Sequence, residues 1–295
     1  MNREEGQTSK RVNKKLRNTA DIWQRGVFFT PSGNINRYRF PLWPHQSDLR
    51  SYRRTLGDGH HYGTILILGA TPGLRDIASE CADRVIVADV NRIMLESAST
   101  LLHIANADEE IWMEGDWLDI ALPTASVDVV MGDLVWWLFT NEQQNILREK
   151  IADMLSTEGL LISRFFFKQQ TSKDPLGLLR GYIKEAKRNP GHIPEIYHSA
   201  FLALMSTFSE SNDPVTCRER VADIVLTNVD DFPAHSTAYL IQKAIRWREQ
   251  GPNLVLENRK EILRNFEKFF TLGEELYQND YAGADTLPIL SWQCH

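Results

Sequence analysis

Thr64-Ile-Leu-Ile-Leu-Gly-Ala-Thr-Pro-Gly-Leu-Arg-Asp-Ile-Ala78 decides the fold of this chain. A short, wholly apolar run ends at Gly69, turns through Ala70-Thr71-Pro72-Gly73 and continues into a helical pattern. A strand buried on both faces reads as such a run, and here it delivers a glycine loop to a helix start. Proline in the first helical turn costs nothing, because that N–H has no partner within the helix. Glycine lacks a side chain and tolerates positive φ, so a ligand can approach the backbone of such a loop.

Working outward, strand and helix patterns alternate. Thr64–Leu68, Arg84–Asp89, Glu110–Glu114, Val127–Met131 and Gly159–Phe167 read as strands. Pro72–Glu80, Arg92–Ile104 and Asn141–Leu155 read as the intervening helices, the last with Ile146, Ile151 and Leu155 as its apolar positions. This alternation predicts a parallel sheet with right-handed crossovers and helices on both faces. After Lys168 it stops. Residues 173–250 carry helical periodicities broken by Asn-Pro, Asp-Pro and Phe-Pro signals, which predicts a helical lid inserted into the sheet domain. A helix over Glu257–Phe270 and strands near Glu274–Gln278 and Leu287–Trp292 then close the chain as an antiparallel hairpin. The expected fold is a Rossmann-like α/β sheet of seven strands. Residues 57–167 and 251–295 form its core, 1–56 an N-terminal helical and aromatic cap, and 168–250 the lid.

An apolar fraction of 42% and a charged fraction of 24% are those of an ordinary globular protein. No apolar run is long enough to span a bilayer, and the N-terminus has no secretory apolar segment, so the chain reads as cytoplasmic with no membrane partner. Cys81, Cys217 and Cys294 are scattered, without disulfide or metal spacing. The eight histidines are scattered too, which predicts no metal. A net charge of −6 argues against a nucleic-acid partner, and the basic residues between Arg3 and Arg25 read as a solvated helix.

Ligands of open α/β sheets bind beyond the carboxyl ends of the strands. Here the first strand ends in Gly69–Gly73 and the second in Asp89, sixteen residues after Gly73. The third ends in Gly115-Asp116-Trp117 and the fourth in Gly132-Asp133. A carboxylate at the second end can accept from both hydroxyls of a ribose. One at the third can accept from an adenine amine, with an aromatic over the base.

In this order the residues resemble the class I S-adenosylmethionine-dependent methyltransferases, from about Gly63 through Phe167 and again in the closing hairpin. The resemblance implies that Gly69, Ala70, Thr71 and Gly73 hold the methionine and ribose portion of S-adenosylmethionine. It gives Asp89 the ribose and Asp116 the adenine, with Trp117 stacked beside it, and it gives Gly132, Asp133 and Leu134 the reacting end. The product would be S-adenosylhomocysteine. Two positions depart from the pattern. Ile67 stands where the family carries an acid, and Thr71 replaces the middle glycine of the loop. Asp133 is the candidate replacement for that acid, facing the ligand's ammonium group, and the one candidate catalytic residue. Asp133→Asn is then expected to weaken S-adenosylmethionine binding. A nicotinamide dinucleotide fold is the nearest competitor, but G-A-T-P-G falls short of its G-x-G-x-x-G fingerprint.

Methyl transfer asks mainly for alignment of a nucleophile with the sulfonium carbon, so no catalytic diad is required. The acceptor is expected to be a small molecule enclosed by the cap and the lid. Trp43, Trp136, Tyr182 and Tyr197 are its candidate wall, with Trp23, Tyr38, Phe40, His198 and Phe201 nearby. Trp136 and Trp137 are adjacent and face opposite ways, so one of them faces the pocket. Two other readings stay open: an enzyme using S-adenosylmethionine as its sole substrate, and a non-catalytic ligand-binding protein.

Overall fold

The computed structural model describes residues 44–168, 174–189, 193–208, 214–233, 256–280 and 284–295, with 241, 244, 245 and 248. Seven strands, β1 Tyr62–Leu68, β2 Ala82–Asp89, β3 Ile111–Glu114, β4 Val127–Asp133, β5 Leu155–Arg164, β6 Phe270–Leu276 and β7 Ile289–Cys294, form one sheet. Their order is β3-β2-β1-β4-β5-β7-β6. The first five run parallel, and β7 pairs antiparallel with both β5 and β6. The register sets Leu68 of β1 level with Ala88 of β2 and Gly132 of β4. The next residues along, Gly69, Asp89 and Asp133, therefore stand in one row at the carboxyl edge.

Alternate residues of each strand feed two cores, as the period of two requires. Ile65, Ile67, Val85, Val87, Val129 and Met131 face helices α1 Gln46–Leu56, α2 Pro72–Cys81 and α3 Arg92–Ser99. Leu66, Leu68, Ile86, Ala88, Val130 and Leu161 face α4 Asn141–Met154 and α8 Arg259–Phe266. Leu49, Tyr52 and Leu56 of α1 belong to the first core. The C-terminal part of the expected cap is thus an integral layer of the sheet domain.

The 168–250 segment supplies α5 Pro175–Arg188, α6 Ile193–Phe208 and α7 Pro214–Thr227. Their apolar residues form a third cluster with Leu134, Trp137, Phe166 and Leu287, so the inserted helices seat on the carboxyl-edge segments after β4 and β5.

Several boundaries differ from the sequence expectation, each for a local reason. Helix α3 stops at Ser99 rather than running to Ile104. The Asp76 carboxylate accepts the backbone N–H groups of His103, Ile104 and Ala105 at 2.9–3.2 Å and so draws that stretch off the helix. In α4, Ile146 is exposed, and the inward face is Gln144, Leu147, Arg148, Ile151 and Met154. Helix α8 starts one residue after Asn258, which closes a capping box with Glu261. Phe270, expected as the end of that helix, begins β6. After Arg164 the chain leaves the regular strand, yet Phe165 and Phe167 donate to Pro288 and Thr286.

Candidate functional site

The row of residues at the carboxyl edge is built from the strand ends. Gly69 has φ 102° and donates its N–H to Ala88 O at 2.8 Å, which ties the β1 end to β2. Asp89 is buried and accepts from Asn91 N at 2.9 Å. Asn91 in turn caps α3, its Oδ1 accepting from Ile93 N at 2.9 Å. Its Nδ2 is buried without a hydrogen-bond partner among the described residues. At the β3 end, Gly115 donates to Asp89 O at 3.0 Å, and buried Asp116 caps the short turn Trp117–Asp119 by accepting from Leu118 N at 3.2 Å.

Trp117 reaches from that turn across β2 toward β1. Its Nε1 donates to Ala88 O at 2.6 Å. A Cβ placed on Gly69 would meet its ring carbons at 3.5 and 3.9 Å. Phe139 lies beside it, ring centres 6.0 Å apart. The open side of Gly69 is therefore taken by an indole. Gly73 and Gly132 make room for the chain's own groups. A Cβ on Gly73 would meet Leu49 of α1 at 2.8 Å, and one on Gly132 would meet Val135 at 2.6 Å.

Asp133 is bound through both oxygens by Arg164, Nε–Oδ1 at 2.7 Å and Nη2–Oδ2 at 3.0 Å. The Nη1 of the same guanidinium donates to Asp48 of α1 at 3.0 Å. Arg164 and Asp48 are fully buried and Asp133 is 3% exposed. Burial pushes the Asp133 carboxyl up from its ordinary value, and the Arg164 charge only partly offsets this. Tyr52 completes the cluster. Its hydroxyl donates to Gly132 O and accepts from Arg164 N, each at 2.8 Å, and so bridges the ends of β4 and β5. Burial, followed by the neighbouring Asp133 charge, holds its phenol well above the ordinary range. Asp48, Tyr52 and Arg164 were not among the sequence candidates. One signal was visible: Arg164 interrupts the apolar run Leu160–Phe167, and a charge there calls for a buried partner.

Beyond Asp133 the chain turns through Leu134 at φ 53°, a left-handed conformation rare for a leucine, with its N–H held by Arg164 O at 3.2 Å. The two tryptophans that follow face opposite ways. Trp136 joins the core against Phe165 and Phe266 and donates to Ser163 Oγ at 3.2 Å. Trp137 faces Phe166 and the inserted helices, in the same cluster as Tyr182. The tryptophan turned toward the insertion is thus Trp137, not Trp136. A cavity of about 10 Å³ lies between them, bounded also by Gln144, Arg164 and Glu257. It has room for about one water. The expected wall residues Trp23, Tyr38, Phe40 and Trp43, and the side chains of Tyr197 and His198, lie outside the described residues. Among the described residues no cluster of His, Cys, Asp and Glu is arranged to hold a metal, and no helix is long and apolar enough to cross a membrane.

No protein-family model matches the sequence, and no curated protein does. Solved structures do match. The N-methyltransferase NodS from Bradyrhizobium japonicum WM9, in complex with S-adenosyl-L-homocysteine, aligns over 94% of this chain and 98% of its own, with a TM-score of 0.52 at 12% identity. A Rhodobacter sphaeroides protein assigned by name alone to the zinc-dependent alcohol dehydrogenases aligns over 85% of this chain and 90% of its own, with a TM-score of 0.51 at 12% identity. The topology separates the two fold types these names suggest. A dinucleotide-binding sheet follows the order 3-2-1-4-5-6, whereas here antiparallel β7 lies between β5 and β6. The chain has the fold of the class I S-adenosylmethionine-dependent methyltransferases.

Proposed function

We propose that the protein transfers a methyl group from S-adenosylmethionine to a small-molecule acceptor, in a cytoplasmic setting. The observation that carries this is the level row of Gly69, Asp89 and Asp133 across β1, β2 and β4, extended by Asp116 at the β3 end. In this reading Asp89 takes the ribose hydroxyls, Asp116 the adenine amine, and the loop Gly69, Ala70, Thr71 and Gly73 the methionine side. The residues fit a nucleoside ligand in one further respect. Asn91 Nδ2 is a buried donor beside Asp89 with no partner among the described residues, and an unpaired buried donor is costly unless a ligand or water takes it.

S-adenosylmethionine supplies a sulfonium carbon open to in-line displacement. The chain's part is to align an acceptor with it and exclude water. Gly132, Asp133 and Leu134 flank that end, with Trp137 and Tyr182 on the side of the inserted helices. Asp133 is bound at both oxygens by Arg164, so it contributes a fixed charge rather than a mobile base. This disfavours proton removal from the ligand's own amine, and with it the sole-substrate reading.

Incubation of the pure protein with methyl-labelled S-adenosylmethionine, with and without cell extract, tests the proposal. Label transfer to a small molecule with release of S-adenosylhomocysteine, only with extract, is expected. Methylthioadenosine released from S-adenosylmethionine alone would establish the sole-substrate reading instead. Binding without turnover in either arm would make the protein a non-catalytic binder.

A further inference from the structure

We propose that Trp117 is a gate over the nucleoside seat, whose indole must swing away before a ligand can meet the glycine loop. The inference rests on the methyltransferase reading above and adds a residue with a moving part to it. Three contacts define the closed position. The indole Nε1–H is bonded to Ala88 O at 2.6 Å, on the residue before Asp89. The far edge of the ring lies over the missing Cβ of Gly69. Phe139, on the segment after β4, packs beside it with ring centres 6.0 Å apart. The ring thus spans the carboxyl edge from β2 to β1, between the acid expected to bind ribose and the loop expected to bind the ligand's backbone-facing side.

A glycine in a ligand loop is useful because its open side lets a ligand lie at van der Waals distance. Here indole carbons stand 3.5 and 3.9 Å beyond the Cβ position, so a ligand atom placed on that side and the closed indole compete for one space. The indole is only half-buried, which leaves it a direction in which to move. Opening breaks one hydrogen bond, since the ring has no second polar atom, and gives up the ring's packing against the neighbouring core. The closed state therefore lowers apparent affinity by the population it holds rather than abolishing binding.

S-adenosylhomocysteine binding by the full chain, measured by calorimetry and stopped-flow, tests the gate on wild type, Trp117→Phe and Trp117→Ala. Trp117→Phe keeps an aromatic ring but loses the bond to Ala88, and so guards against a folding defect in the alanine variant. The expected result is affinity raised about 2- to 10-fold, the worth of one hydrogen bond, and a faster association rate in both variants. In wild type, addition of S-adenosylhomocysteine should also expose the Trp117 indole N–H to solvent exchange, read by NMR. Weaker binding in both variants, with wild type binding well, would overturn the gate, making the indole a platform and leaving the cofactor reading intact. No binding by any of the three would overturn the cofactor reading itself, and the gate with it.

Discussion

Gly132, the penultimate residue of β4, and Gly115, just past β3, both stand at the carboxyl edge but answer to different constraints. A methyl group on Gly132 would stand 2.6 Å from Val135 Cγ2, a short branched side chain with little freedom to retreat. On Gly115 it would meet nothing within 4 Å. Gly132→Ala is therefore expected to cost about 1–3 kcal/mol in urea unfolding, as overpacking does. Gly115→Ala should change stability by about 0.5 kcal/mol or less. Equal effects would mean that packing is not why glycine stands at 132. Arg164 poses the opposite problem, a buried charge that must stay paired. Arg164→Met leaves Asp48 and Asp133 buried beside an apolar chain and should cost about 3–5 kcal/mol. Adding Asp133→Asn to that variant should recover part of the loss, because it removes one stranded charge. A double variant as unstable as the sum of the two single ones would show that the groups do not interact.

At the scale of elements, most of the sheet was legible because its strands are short apolar runs bounded by turn residues. β1, β2, β4 and β5 were placed within a few residues of where they lie. Apolar counting failed where polar groups are buried. In α4 the inward positions Gln144 and Arg148 are hydrogen-bonded to each other at 3.1 Å, so the helix turns a face to the core that apolar residues alone do not mark, and Ile146 is left outside. Arg75 was equally hidden. It is fully buried and pairs with Glu110 while donating to Leu95 O and Ser99 Oγ, which joins α2, α3 and the start of β3. The Arg75 network depends on partners distant in sequence, and no local period reports it. The Arg148 network carries a pH signature. Its guanidinium lies 4.9 Å over the Phe266 ring, and burial lowers its pKa to about 10. Burial also raises Glu257 above its ordinary value, with Arg148 opposing the shift. A carboxyl with a raised folded-state pKa stabilises the fold below its unfolded value and loses that contribution as pH rises through the folded one. Glu257→Gln has no such loss. Its stability relative to wild type should therefore improve as pH rises from about 4 toward neutrality in urea titrations. A difference that is flat with pH would remove Glu257 from the acid response.

For the molecule as a whole, the strand order is what makes one ligand class testable against another. The antiparallel β7 between β5 and β6 is a long-range pairing, with Ser163 opposite Leu290. The sequence supplied the hairpin but not its insertion beside β5, since a hairpin can dock on either edge of a sheet. Once inserted, β7 is central and buried, with Trp292 stacked on Phe266 at 4.9 Å. In the function proposed above, Gly69, Asp89 and Asp116 bound a nucleoside seat at the carboxyl edge, whereas a dinucleotide needs a glycine-rich pyrophosphate cradle. A ligand that binds only the folded state stabilises it by about 2.7 kcal/mol at a hundred times its dissociation constant. In a chain of this size that raises the melting temperature by about 5 °C. S-adenosylhomocysteine should produce a rise of that order and NADH none, measured side by side by differential scanning calorimetry. A rise with NADH alone would mean that the edge accepts a dinucleotide despite its topology, and that the acids at β2 and β3 serve a different sugar and base than those assigned to them.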